Sequence, residues 1–265
     1  MKNTRLKKSL SNSHFVIASA GKTDNTSSSL ALHANLADSN SCQAITEHYN
    51  ELISQGLVAE NVALVVTDML PAYGSVIAAL FVNAKHQFCI FHLIQQVNKA
   101  LKETLKQHRI DNYPKGERKE AQNIAYLMLA GEEKLSDIAR QKVLLFCEKH
   151  PELRPNYALK EDIRTLYATA QNPAQAYAYK DMLDETYADK IAAPMKKVWT
   201  FLKDNFEKTI AYLWTDYKKD KTNNDAQRMM RSIKRTQQTH YFLRNSTNYI
   251  RKIRVILGIQ KPIAT

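Results

Sequence analysis

Glycine is scarce, with six in 265 residues, and none of the six gather into a loop that could cradle a phosphate. Cysteine is scarcer still. Cys42, Cys89 and Cys147 are an odd number at wide spacing, which excludes a disulfide framework and fits a reducing compartment. No run approaches the roughly 18–20 apolar residues needed to cross a bilayer. The start, "MKNTRLKKSL", is basic but leads into only a short apolar run, too weak for a signal peptide, so an intracellular, cytoplasmic protein is expected. Internal repeats and low-complexity segments are also lacking.

Negative charge is the last shortage. Lys and Arg number 38 against 26 Asp and Glu, a net charge of +12. The excess is concentrated. Residues 218–254 hold eleven basic residues against only Asp220 and Asp225, which is +9 of the total. Such a block is the electrostatic footprint expected for a polyanionic partner, the alternative being a solvated basic helix face. The apolar fraction of 44% and charged fraction of 24% are those of a globular chain long enough to bury a substantial core.

The pattern along the chain implies an α/β fold. Residues 1–13 read as a disordered basic start. Strands near 14–20 and 29–36 flank the polar turn "GKTDNTSS" as a hairpin. Ile45, Tyr49, Leu52 and Ile53 fall at helical spacing, and Gly56 follows as a stop. "NVALVVTD" (61–68) is a continuous apolar strand, Pro71 suits a first helical turn, and "AKHQFCIFH" (84–92) reads as a further strand before an amphipathic helix. The expected order is β-β-α-β-α-β-α, a mixed or parallel sheet with helices against it. From about residue 100 the texture is helical, with prolines at 114, 151, 155, 173 and 194 between helices, and two more helices open near "TNNDAQRMMRSIKR" and "NSTNYIRKIRVILGI".

Asp68 closes the apolar strand in "LVVTDMLPAY". A carboxylate there sits at the sheet rim, where open α/β sheets place their ligands, though a turn or cap role is equally open. His86, Cys89 and His92 follow at three-residue spacing. On one strand the two histidines share a face and Cys89 takes the other, which disfavours a shared zinc ion. Tyr167, Tyr177, Tyr179 and Tyr187 read as amphipathic core and rim, with a stacking platform as the alternative.

The stretch from Val66 to Glu103 resembles the DDE-type transposases of insertion sequences and Mutator-like elements. In those families a catalytic aspartate ends a strand and is followed by a tyrosine and a short helix. A phrase of the form F-P-x-A-x-H-Q-x-C-x-F-H comes next. Here it is Phe81, Ala84, His86, Gln87, Cys89, Phe91 and His92, with Val82 where proline is usual. "KTNNDAQRMMRSIKR" is similar to the family's T-N-N-x-x-E helix, with Gln227 at the position of the glutamate.

The resemblance implies a ribonuclease H-like mixed sheet with flanking helices, a large all-helical insertion and C-terminal helices. On that reading 14–100 is the core without its first strand, 101–217 the insertion, and 218–265 the basic helices completing the core. It implies metal-dependent cleavage and transfer of DNA strands in transposition, using three carboxylates to hold Mg²⁺ or Mn²⁺. Asp68 would be the catalytic and metal-binding acid, with Tyr73, Cys89 and His92 in support. Gln227 offers only a neutral carbonyl, and Asp225 two residues earlier faces another way. The family's first aspartate has no counterpart in "MKNTRLKKSLSNS", which implies an N-terminally truncated chain, and Asp24 and Asp38 read as turn and cap residues. With a helix start near Asn224, Arg228, Arg231 and Arg235 share a face, and with Lys234 they would bind DNA backbone at element ends and target. No helix-turn-helix or zinc-finger pattern precedes the core. The alternative is a catalytically inactive, transposase-derived DNA-binding or interaction protein. A homo-oligomer is compatible with either, a membrane partner with neither, and in a bacterial source the protein would be nucleoid-associated.

Overall fold

A computed structural model describes residues 15–22, 30–37, 39–239 and 246–259. The basic start at 1–13, Asp24 and Asp38 lie outside them. In chain order the elements are the antiparallel hairpin β1 (Phe15–Gly21) and β2 (Leu30–Ala37), α1 (Cys42–Ser54), β3 (Leu64–Thr67), α2 (Pro71–Leu80), β4 (Lys85–Phe88) and α3 (Ile90–Asn112). Helices α4 (Arg118–Leu129), α5 (Asp137–Lys149), α6 (Arg154–Thr169), α7 (Pro173–Tyr187), α8 (Ala193–Asp204), α9 (Phe206–Thr209), α10 (Asn224–Thr239) and α11 (Ser246–Ile256) follow. The chain divides into two units: residues 1–87 with 215–265, and residues 88–214.

The first unit joins the two ends of the chain. Among the described residues its strands form two separate pairs, β1 with β2 and β3 with β4, where the sequence suggests one mixed sheet. Strands β3 and β4 are only four residues each, so they supply little ladder for neighbours to join. In the hairpin, Ser19 faces His33 while Ala20 faces Ala31, leaving Leu32 as the extra residue of a bulge. Leu32 packs with the α1–α2 core of Ile45, Tyr49, Leu52, Val76, Ile77 and Phe81. Gly21 permits this, since a Cβ there would lie 2.6 Å from the Leu32 side chain. Helix α1 is opened by Ser41, whose hydroxyl accepts from Ala44 N–H, and Gly56 at φ +105° follows its end. His48, on the buried side of α1, hydrogen-bonds Ser19 of β1 at 2.8 Å.

The chain's return closes this unit. Helix α10 packs on β1 and α11 on β2, with Ala34, Ile233 and Ile253 fully buried between them. Each isoleucine so buried contributes about 1.5–3 kcal/mol. Arg254 of α11 donates to the Ala34 carbonyl at 3.1 Å and to the Glu51 carboxylate at 3.2 Å, and Lys22 pairs with Asp220 at 2.6 Å.

The second unit is helical. Helix α3 presents Ile90, Leu93, Val97, Leu101, Leu105 and His108 as one buried stripe and packs against α4, α6 and α8. Prolines begin its helices as their fixed φ favours: Pro155 in α6, Pro173 in α7 and Pro194 in α8. Lys160 is fully buried, so burial lowers its pKa, and it is compensated by a 2.6 Å bond to the Ala130 carbonyl and an ion pair with Glu161. Tyr167 is buried and donates to Thr209, Tyr187 donates to Asp162, and Tyr177 packs edge-on against Phe206.

Helices α7 and α8 are tied at Asp184, whose Oδ1 accepts from Trp199 Nε1 at 2.8 Å and Lys203 Nζ at 2.7 Å. The Lys203 hydrogen bond, foremost, holds the Asp184 carboxyl below the usual carboxylate range, with help from the Trp199 bond and against the effect of burial. A depressed folded pKa contributes stability above the unfolded value of about 4, lost as pH falls through the folded value. Asp184→Asn is therefore expected to melt below the parent chain at neutral pH. The difference should shrink in melts taken below about pH 4, whereas a gap independent of pH would contradict a charge-based tie.

Candidate functional site

Asp68 follows β3 directly and is exposed. Its carboxylate Oδ1 accepts from the Leu70 N–H at 3.1 Å, which holds the turn that leads into α2. Below it, Thr67 donates its hydroxyl to the Asp68 carbonyl at 2.7 Å and lies 2.8 Å from His86 Nε2. A hydroxyl has one proton to give, so His86 donates Nε2–H to Thr67. The two strand ends are thus cross-linked under Asp68, and His86 is occupied in that link.

Tyr73, in the first turn of α2, packs with the α1–α2 core. Burial, with a smaller push from the Asp68 charge, raises its phenol to about 12, so it stays protonated. Burial raises Tyr49 as well, helped by Tyr73 and Asp68. Both phenols are therefore neutral, and both belong to the packed α1–α2 core.

The run 84–92 is not one strand. Strand β4 stops at Phe88, buried Cys89 is the N-cap residue, and α3 begins at Ile90. His92 sits on the first turn of α3, half-buried, with Nδ1 lacking a partner among the described residues. His86 and His92 therefore do not share a strand face: one is on a strand, the other on a helix. The apolar residues decide this, because Ile90, Leu93 and Val97 continue into the helical stripe while a short run alone leaves the period open.

Gln227 lies one turn into α10, and its Nε2 donates to Asn223 Oδ1 at 2.7 Å while its N–H bonds the Asn223 carbonyl at 3.0 Å. The glutamine thus helps start the helix. Among the described residues no three His, Cys, Asp or Glu side chains gather around Asp68 or Gln227.

On α10, Arg228, Arg231 and Arg235 are exposed while Ile233 is 1% exposed on the opposite side. The side chains of Asp225, Met229 and Lys234 lie outside the described residues. Arg254, counted in the same basic block, is held by Ala34 and Glu51.

A second polar cluster was not legible in the sequence. In the helical unit His108, His150 and Glu152 bring one ligand atom each within 4.8 Å of one another. Burial, then the neighbouring His108, push the His150 imidazole below its ordinary value, against Glu152. The only local signal is the phrase "His-Pro-Glu" at 150–152; its partner is 42 residues away.

A family profile described as Transposase, of the DDE type and the ISL3 group, matches residues 31–253. No curated protein matches the chain at a significant level.

The hydrogen bond at Asp68 sets a separable expectation. Asp68→Asn keeps an acceptor for Leu70 and should melt within about 0.5 kcal/mol of the parent, while Asp68→Ala should lose about 0.5–2 kcal/mol. Equal losses in denaturant melts would mean that the carboxylate does not hold the turn.

Proposed function

Because the chain belongs to the ISL3-type DDE transposases, we propose that it is a transposase or transposase remnant that engages DNA through α10. Its ancestral reaction is metal-dependent cleavage and transfer of DNA strands at the ends and target of a mobile element. The profile match over most of the chain carries the family. The observation that supports the DNA reading is the exposed row Arg228, Arg231 and Arg235 on a helix seated by Ile233. Guanidinium groups spaced along one helix face suit successive phosphates, and they position a protein on DNA without reading its sequence.

The family uses divalent metal ions in general, and three carboxylates are what holds them in a ribonuclease H-like core. Mg²⁺ or Mn²⁺ would be the ion. Asp68 supplies one charged ligand at a strand end, the place such chemistry needs. Tyr73 would support it by packing, and Cys89 and His92 by shaping the start of α3. The likeness of "HQFCIFH" and "TNND" to Mutator-like elements supports a kinship within the larger DDE group.

A second reading is favoured by Gln227, which is engaged with Asn223 where the family has its glutamate. On that reading the chain binds DNA or partner proteins without cutting. The readings part in one assay. If the chain nicks or joins end-containing DNA with Mg²⁺ or Mn²⁺, and Asp68→Asn abolishes this with the fold intact, it is catalytic. Binding without cleavage, unchanged by Asp68→Asn, supports the inactive form.

The binding surface has its own test. Replacing Arg228, Arg231 and Arg235 together by glutamine should weaken binding to unrelated duplexes alike. The slope of log affinity against log salt should fall by roughly 2–3, about 0.9 for each phosphate no longer neutralised. An unchanged slope would remove α10 from the interface.

A further inference from the structure

We propose that His108, His150 and Glu152 form a binding site for a transition-metal dication of the zinc class, in the helical unit and independent of the DNA reading. The donors form a small triangle. His108 Nε2 lies 3.1 Å from His150 Nδ1 and 2.9 Å from Glu152 Oε1, and His150 Nδ1 lies 3.9 Å from that same oxygen. Zinc bonds of about 2.0–2.2 Å at tetrahedral angles place two donors roughly 3.3 Å apart, and the three sides straddle that value. Two imidazoles and one carboxylate are also the donor chemistry that borderline dications prefer, whereas Mg²⁺ favours oxygen alone.

The surroundings hold the donors in place. Tyr113 Oη lies 2.6 Å from His150 Nε2. When that nitrogen carries the proton and donates it to the phenol, the His150 Nδ1 lone pair is left toward the triangle, the arrangement by which outer partners orient a ligating histidine. His108 is 8% exposed near the end of α3, and Phe146 of α5 packs against both rings, at 6.2 Å from His108 and 4.7 Å from His150. Pro151 lies between the other two donors in the short turn before α6, so their spacing is set by a restrained segment. The Glu152 side chain is 57% exposed, which gives an ion a route in and leaves a fourth position for water.

The competing account uses no metal. Two ring nitrogens 3.1 Å apart beside a carboxylate can share a proton, with His108 paired to Glu152 as an ordinary surface-linked ion pair. The two accounts differ in what the exposed member does. In a proton-sharing pair Glu152→Gln still accepts a hydrogen bond, and added metal changes nothing. In a metal site it removes the charged ligand.

The test uses the full chain, stripped with a chelator and titrated separately with Zn²⁺ and Co²⁺. One equivalent of Co²⁺ should give the intense visible bands of a four-coordinate site, Zn²⁺ should displace it, and Zn²⁺ should raise the melting temperature. Glu152→Gln, at an exposed position, should fold as the parent does without metal and bind at least about tenfold more weakly. His150→Gln should show the same loss, with circular dichroism of its metal-free form reporting its fold. If His150→Gln fails to fold, the Glu152→Gln comparison decides alone. Failure to bind one equivalent, or binding of equal strength in Glu152→Gln, overturns the proposal and leaves the proton-sharing pair.

Discussion

The burial of Ala34 between Ile233 and Ile253 is the contact on which the first unit depends. A two-stranded hairpin cannot stand alone in water, because one layer of backbone pairing does not offset the entropy of ordering it. Here β1 and β2 are covered by helices that arrive about two hundred residues later, and Arg254 fixes their seating on a strand carbonyl. The chain leaves this unit after Gln87 and returns at Thr215, so its two parts are joined by long-range contacts: packing, the Arg254 bonds and the Lys22–Asp220 pair. A consequence is rigidity where charge is displayed. Ile233 pins the inner side of α10, and the arginines of its outer side are carried on a helix with a fixed base.

The strand-end acid is built into the same unit. Asp68 holds the turn into α2 with one oxygen, Thr67 and His86 lock the strand ends beneath it, and Tyr73 seals the core beside it. None of these bonds consumes both carboxylate oxygens, so a turn role and a ligand role are not exclusive. Gln227 differs. Its amide is engaged with Asn223 at the start of α10, and it carries no charge to offer a cation. The two positions therefore differ in charge: a carboxylate at one, a neutral amide at the other.

Much of the element order was legible because it is written in short-range patterns. The β-β-α-β-α-β-α series follows from apolar runs, proline position and helical spacing, and α10 opens in the "TNND" segment where it was expected. What failed was local ambiguity and distance. "AKHQFCIFH" is apolar enough for either a strand or a helix, and only the continuing stripe to Leu101 makes its second half helical. A mixed or parallel sheet was expected from the order of the elements. The described strands instead form two separate pairs. The family motifs pointed to Asp68 and Gln227 but carried no sign of the bonds each makes. The His108, His150 and Glu152 cluster could not be read at all, since its members meet only after α4 and α5 have folded back between them.

The helix proposed to face DNA, α10, is held on the N-terminal hairpin by Ile233 and its neighbours. Amide hydrogen exchange of the full chain, with and without a short duplex at low salt, tests it most directly. The account predicts slowed exchange across 221–235 on adding DNA, reversed at high salt, with the buried hairpin contacts already protected in the free protein. Protection elsewhere with α10 unchanged would contradict it.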